Sequence, residues 1–312
     1  MFVSSGRSGL TLLGMIFGSH PNLAVAHEPR FLATMIPKRA EYEQAGGLDV
    51  DRFLDDLYAV GNYKRLGLAE KEVRQALEEA GVTSLPDAVR VVFEVYAADR
   101  GKSLYGDKTP LYITFIDPIA ETLPEARFVH LVRDGRDVTL AYLERDKGPA
   151  SVAEGAFHWE LRVTRGRESG RRIGPERYRE FRYEDLIEDT EGTVRDICDF
   201  LDLEFHPLML DYRQTSEDFL AGAKNPGDHQ HLTMAPTKGL NDWRTQMSEK
   251  DLRLFQAIAG DTLEAFGYPL GPVEPASRPT VWWEWARWQT RRVLWRVRWR
   301  LTGGAPKRGG EG

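Results

Sequence analysis

The sequence predicts an α/β protein: a central parallel sheet with helices on both faces, three layers in all. Three stretches carry that prediction. Phe2-Val3 leads into a loop of glycines and serines and then into a helix marked by Leu10, Leu13 and Ile16 or Phe17. Arg127 to Val132 is a β-rich run that breaks at Arg133-Asp134-Gly135-Arg136-Asp137, with helical periodicity resuming from Val138. Tyr178 to Arg182 is a third strand, followed by Tyr183-Glu184-Asp185-Leu186 and a helix over 188–201. Strands that alternate with helices pair in parallel and need cover on both faces.

The first loop is built for an anion. Gly6 and Gly9 allow tight turning and close backbone approach. The free N–H groups of the following helical turn, aided by the helix dipole, favour negative charge. Ser8 and Thr11 add hydroxyl donors and Arg7 a fixed cation, with Leu10 and Leu12 completing the segment. A Walker A loop would need Gly-Lys-Ser/Thr, and here Gly9 is followed by Leu10. The competing reading is a secretory leader, because Leu10 to Gly18 is apolar and Ala24-Val25-Ala26 has the shape of a cleavage site. No charge precedes Arg7, Ser19-His20-Pro21-Asn22 interrupts the approach, and cleavage would delete the loop, so the phosphate loop is preferred.

Between these landmarks the chain is less legible. Leu23 to Ala26 reads as a short strand that delivers His27-Glu28-Pro29-Arg30 at its end. Residues 31–100 read mostly as helices around a Gly46-Gly47 loop, an insertion on the substrate side. Tyr105-Gly106-Asp107-Lys108-Thr109-Pro110 follows a helix that ends near Ser103, residues 112–123 are helical, and 151–173 form a long helix.

Composition excludes several function classes. The chain has 312 residues and a single cysteine, Cys198, so it has no internal disulfide framework and no cysteine-rich zinc site. Cys198 lies in an apolar helical pattern and reads as a buried structural thiol in a reducing, cytoplasmic compartment. No run approaches the roughly 20 apolar residues that cross a bilayer. The net charge is −6, yet residues 281–312 alone hold eight Arg or Lys against two Glu. The body is therefore strongly acidic, which argues against nucleic acid as partner.

Four segments then combine. Arg7-Ser8-Gly9-Leu10-Thr11-Leu12, Phe128 to Val138, Arg182-Tyr183-Glu184-Asp185-Leu186, and Lys238-Gly239-Leu240-Asn241-Asp242-Trp243-Arg244 occur in the order found in sulfotransferases that use 3′-phosphoadenosine 5′-phosphosulfate (PAPS). The chain resembles that family over residues 2 to about 268, and within it the bacterial enzymes related to tyrosylprotein sulfotransferases. The resemblance implies a P-loop-like three-layer fold, PAPS as co-substrate, adenosine 3′,5′-bisphosphate as product, and no metal.

The chemistry suits the residues. PAPS carries anionic groups at two ends and needs two cationic clusters, one in the 6–12 loop and one at Arg133. In the family the arginine matching Arg133 meets the 3′-phosphate, helped by a serine whose position here is Ala141. Arg145 matches a helping arginine of the tyrosylprotein branch and, on one helix face with 141, stands to replace the lost hydroxyl. Arg136 and Asp137 read as a surface ion pair. Lys108 matches a catalytic or donor-contacting lysine; with Arg7 it would stabilise the leaving phosphate oxygen. Cytosolic members place a histidine base two residues later, where this chain has Pro110. The tyrosylprotein branch uses a glutamate 21 residues after the loop cation, which is Glu28 here, beside a substrate-contacting arginine at Arg30. His27 is the reserve base and His130 is structural. Tyr183 matches an adenine-side contact, Lys238 and Gly239 the segment closing over the 3′-phosphate, and Trp243 packs that loop.

Residues 271–280 hold three prolines and a glycine and read as a linker from the domain at 1–270. Over 281–301, Val281, Trp285, Trp288, Trp295 and Trp299 share a helical face interrupted by Arg292, with Arg287, Arg291 and Arg298 to one side. Two readings of this helix stay open: a peripheral anchor on an anionic membrane, or a helix docked on a neighbouring subunit of a homodimer or on the domain itself. Residues 302–312 read as a disordered tail. The activity expected is sulfuryl transfer to the hydroxyl of a small molecule, lipid, glycan or peptide. The alternatives are a P-loop phosphoryl-transfer kinase and a decayed nucleotide-binding or membrane-adaptor protein.

Overall fold

The computed structural model describes residues 1–44, 46–145, 148–213 and 242–302, with side-chain environments to Leu294. The chain forms two compact units, Met1–Arg133 with Arg162–Leu240, and Asp134–Leu161 with Asn241–Gly312.

The first unit is built on five strands: β1 (Phe2–Val3), β2 (Leu23–His27), β5 (Leu104–Lys108), β6 (Phe128–Val132) and β7 (Tyr178–Arg182). All neighbours pair in parallel, in the order β2-β5-β1-β6-β7. A small antiparallel pair, β3 (Glu43–Gln44) and β4 (Gly47–Leu48), lies apart from it. The period-2 alternation of strand side chains separates two cores. Val3, Ala24, Ala26 and Phe128 face one layer, while Phe2, Leu23, Val25, Val129 and Leu131 face the other.

The second face is covered by α1 (Leu10–Gly18) and by α10 (Tyr183–Glu188) and α11 (Thr190–Leu201). Over the first face lie the helices of the insertion: α2 (Leu32–Met35), α3 (Arg39–Tyr42), α4 (Val50–Ala59), α5 (Glu70–Ala80) and α6 (Leu85–Ala98), joined by α7 (Ile116–Thr122). Asp49 and Ser84 cap α4 and α6 by accepting hydrogen bonds from Arg52 N–H and Asp87 N–H. This is the three-layer parallel architecture expected.

The sequence reading assigns no element to 104–108, and the structure makes it strand β5. Gly106 and Asp107 are both depleted in strands and hide its pattern. Burial of Asp107 and Lys108 between two neighbours, not intrinsic propensity, makes this stretch a central strand. The helix expected over 112–123 is instead a 3₁₀ turn at Pro110–Thr114 followed by α7.

The second unit holds α8 (Gly135–Leu143), the start of α9 (Val152–Ile173), and three helices, α12 (Trp243–Gln246), α13 (Glu249–Ala265) and α14 (Arg278–Thr302). Trp159 is its packing centre, against Phe255 and Phe266. Only a glycine fits beneath the indole: a Cβ on Gly135 would lie 2.3 Å from Trp159 Cδ2. The stretch read as a linker is strapped onto α13, where Gly271 N–H donates to Gln256 Oε1 at 2.5 Å and Ala276 N–H to Arg253 O at 2.9 Å. The expected tail beyond Thr302 lies outside the described residues. Among those described, no helix is long and apolar enough to cross a membrane, and no group of three or more His, Cys, Asp or Glu is placed to hold a metal ion.

Candidate active site

The strand order sets where a site can form. The chain leaves β1 toward β2 on one side of the sheet, and leaves β6 toward β7 on the other. A crevice opens at the carboxyl ends of strands where such a reversal occurs. All five strands of the parallel sheet end there, in register: His27 pairs with Lys108, Phe2 with Lys108, Val3 with His130, and Val132 with Arg182.

The loop after β1 turns on three left-handed residues, Gly6 (φ 86°), Arg7 (φ 54°) and Gly9 (φ 79°). Gly6 and Arg7 are consecutive and Gly9 follows one residue later, so the backbone folds tightly just ahead of α1. Buried serines brace it. Gly6 N–H donates to Ser4 Oγ at 3.1 Å, Ser8 Oγ to Gly6 O at 3.0 Å, and Ser5 and Ser8 hydroxyls bond each other at 3.0 Å. Gly9 stands at the N-cap of α1, whose first turn has no side-chain cap and no acidic residue. Gly9 is required sterically as well as conformationally, since a Cβ there would lie 2.3 Å from Cδ2 of Tyr183.

Arg133 follows β6 and is 8% exposed. Its Nη1 donates to Arg7 O at 3.3 Å, and its guanidinium lies 4.8 Å from the Tyr183 ring centre. Arg133 is thus anchored to the loop backbone and packed beside Tyr183.

A cluster of side chains adjoins α1. Lys108 ends β5 with a side chain wholly shielded from solvent. Its Nζ donates to Glu28 Oε1 at 3.3 Å and to Thr11 Oγ1 at 3.5 Å, and lies 3.3 Å from His27 Nε2. Arg30 Nη2 donates to the other Glu28 oxygen at 2.5 Å. Burial by itself would raise the Glu28 pKa; the charges of Lys108 and Arg30 and the Arg30 hydrogen bond outweigh it and bring the carboxyl down to about 2. For Lys108 burial is the largest influence and lowers the ammonium to about 8 against the pull of Glu28.

Backbone strain marks the same place. Among the described residues four non-glycines have positive φ, and three of them are Arg7, Glu28 (φ 49°) and Arg30 (φ 58°). Each costs about 1–2 kcal/mol, and such strain collects at functional sites. Glu28 is held in place by its N–H bond to Lys108 O at 3.0 Å and by Asn62 Nδ2, which donates to Glu28 O at 3.0 Å.

A family model described as "Sulfotransferase family" matches residues 1–207. The chain belongs to the sulfotransferase family. Its relatives include a protein-tyrosine sulfotransferase of Drosophila melanogaster, 23% identical over 217 residues. That match covers 67% of this chain and 38% of the fly protein. A putative protein-tyrosine sulfotransferase of Caenorhabditis briggsae is 23% identical over 286 residues, 86% of this chain and 88% of that one. Among solved structures, the sulfotransferase domain of the Synechococcus PCC 7002 olefin synthase superposes with a TM-score of 0.62 at 25% identity, covering 86% of this chain and 94% of that domain. The sulfotransferase domain from the curacin biosynthetic pathway gives 0.59 at 19% identity, over 86% and 97%.

Within this sulfotransferase fold several expectations need correction. Arg136 and Asp137 are not a surface pair. Arg136 is fully buried, forks onto both oxygens of Asp134 at 2.9 and 2.7 Å, and lies 3.6 Å from the Trp243 ring centre. Asp137 instead accepts the Trp243 backbone N–H at 2.9 Å. Ala141 is buried in α8, but α8 ends at Leu143, so Arg145 is not its neighbour on a helix face. Lys238 and Gly239 lie outside the described residues.

One contact to the sulfotransferase loop was not anticipated. Arg162, on α9, donates from Nη1 to Ser5 O at 2.6 Å. In the sequence it is one of several arginines on a long polar helix, and nothing in the spacing sets it apart. His130 is wholly buried, 2.5 Å from the Tyr178 hydroxyl, in the structural role expected.

Proposed function

We propose that this chain transfers a sulfuryl group from PAPS to an acceptor hydroxyl, with Glu28 as general base. The observation that carries the reading is the meeting of Glu28, Lys108 and Thr11, which joins a carboxylate to the first turn of the anion-binding helix. A base within reach of the transferring group is what this chemistry demands and a simple nucleotide-binding protein does not.

The residues present fit the donor. The Gly6–Leu12 loop and Arg7 suit its 5′ end, and Arg133, on the next strand, suits the 3′-phosphate. Tyr183, packed close to Gly9 and Arg133, suits an aromatic base. When bound, PAPS supplies the sulfuryl group. Glu28 takes the proton of the acceptor hydroxyl as the new oxygen–sulfur bond forms. Lys108 and Arg7 hold the negative charge left on the phosphate oxygen as the old bond breaks.

A carboxyl with a pKa of about 2 is a weak base. Its partners account for that, and a donor anion beside Lys108 would draw the ammonium toward itself and free Glu28 to accept a proton. Arg30, paired with Glu28 and half exposed, is assigned to contact with the acceptor.

Transfer of radiolabelled sulfate from PAPS to an acceptor library tests the reading. Wild type is expected to label at least one hydroxyl acceptor, and Glu28→Ala to label none above background. Equal labelling by both would remove Glu28 as base.

A further inference from the structure

The six tryptophans of 282–299 do not share one role. Trp288 is 6% exposed and stacks on Phe157, ring centres 5.0 Å apart and 12° from parallel. Val281, two turns earlier, packs with it, and Arg291 Nη1 donates to Glu154 Oε1 at 2.6 Å. The face marked by spacing, which the sequence leaves open between a membrane and a docking partner, docks through Val281 and Trp288 on its own unit.

The opposite face is a second apolar stripe. Trp282 and Trp283 are 63% and 60% exposed, and Val293 and Leu294, eleven residues on from each, are 55% and 62% exposed. At 100° per residue Trp283 and Leu294 point away from Val281 and Trp288, while Trp282 and Val293 stand at the flank between the two faces. Arg287 is exposed beside it, and the sequence beyond adds Arg296, Arg298 and Arg300. At the helix start, Trp282 and Trp285 close over a cleft of about 640 Å³ with Phe157, Ala257 and Pro275, and Arg278 at its rim.

We propose that α14 seats this protein on an anionic lipid surface, with Trp282, Trp283, Val293 and Leu294 in the interface and the arginines on lipid phosphates. Indole rings favour headgroup depth, where one edge is apolar and the N–H is wet. Arginines beside them gain from an anionic surface. Charge separates this occupant from a second copy of the chain. Residues 281–312 carry a net +6, and self-pairing through this face would bring two such tails together. An anionic bilayer relieves that repulsion, and it attracts the basic tail of a chain whose remainder is acidic. The proposal is independent of the reaction assigned above.

Vesicle flotation of the full chain tests it. Wild type is expected to float with vesicles containing phosphatidylglycerol and to remain below with phosphatidylcholine alone, and added salt should release it. Trp282→Ser with Trp283→Ser should weaken partition about tenfold or more. Both side chains are exposed, so the thermal midpoint should not move. Leu294→Asp, on the same stripe, should weaken binding in the same direction. Brominated lipid should quench tryptophan emission in wild type and much less in the double variant. Wild type that does not float, or variants that float as well as wild type, would overturn the proposal. So would a dimer that dissociates in the double variant while neither form binds vesicles.

Discussion

Lys108 Nζ sits 3.3 Å from Glu28 Oε1, across two paired strands, with the lysine side chain sealed from solvent. A buried ammonium is tolerated only when paired, so each residue sets the other's charge. The alkaline behaviour of the enzyme follows. In the proposed reaction Lys108 carries its proton to stabilise the leaving anion, and burial lowers that ammonium to about 8. The kcat/KM profile of the free enzyme should lose activity as pH rises through about 8 and stay flat on the acid side to below pH 4, because Glu28 ionises near 2. A rate that keeps rising past pH 9 would contradict this pairing.

If Glu28 is the base, replacing it should cost more than replacing Arg30. Glu28→Gln keeps the shape and removes the proton acceptor, and kcat should fall about 10²–10⁴-fold with little change in donor affinity. Arg30→Ala should act mainly on the acceptor KM, since Arg30 is half exposed and reaches only the outer carboxylate oxygen. Steady-state kinetics with both substrates varied separates the two effects.

Gly9 should tolerate no side chain. Gly9→Ala forces a methyl into the Tyr183 ring at a φ of 79°. The expected result is a loss of about 1–3 kcal/mol in stability, or a displaced Tyr183 and weaker binding of the adenine nucleotide. Urea unfolding and nucleotide titration on the same variant read both outcomes. An alanine variant that matches wild type in each would mean that the ring does not pack as described.

Asp107 gives a pH dependence of stability that is separate from catalysis. Burial pushes its carboxyl up to about 7 from an ordinary value of 3.8. The folded state therefore holds a proton that the unfolded chain releases, and this contribution to stability is present below pH 3.8 and lost as pH rises through about 7. His130 works in the opposite direction: burial lowers it to about 4 from 6.5, so its contribution is present above pH 6.5 and lost as pH falls through about 4. Asp107→Asn removes only the first. Relative to wild type, the variant should be more stable at pH 8 than at pH 5 in urea melts, and the same difference at both values would contradict the buried neutral acid.

What the sequence made legible was chemistry fixed by short offsets. The 6–12 loop is marked by residue type at local spacing, Arg133 by the β-rich run before it, and Glu28 by the family resemblance alone; the first unit brings these residues to the carboxyl ends of its parallel strands. What it concealed was set by tertiary burial. Gly106 and Asp107 masked a central strand, because propensity argues against both. Arg136 read as solvated because a run of charges usually is, yet the Asp134 fork and the Trp243 ring bury it completely. Arg162 reaches Ser5 from 157 positions away, a contact that no local pattern encodes. The tail periodicity was correct, but a helix has two faces, and only packing shows which one is used.

The central claim is that the loop after β1 and Arg133 after β6 grip opposite ends of one doubly phosphorylated nucleotide. Titration calorimetry with adenosine 3′,5′-bisphosphate and with AMP, on wild type and Arg133→Ala, tests it most directly. The account predicts that wild type binds the bisphosphate at least about tenfold more tightly than AMP, and that Arg133→Ala erases the difference while leaving AMP unaffected, as loss of one charge-assisted bond of about 1.5–3 kcal/mol requires. Equal affinity for the two nucleotides, or a preference that survives the loss of Arg133, would contradict it.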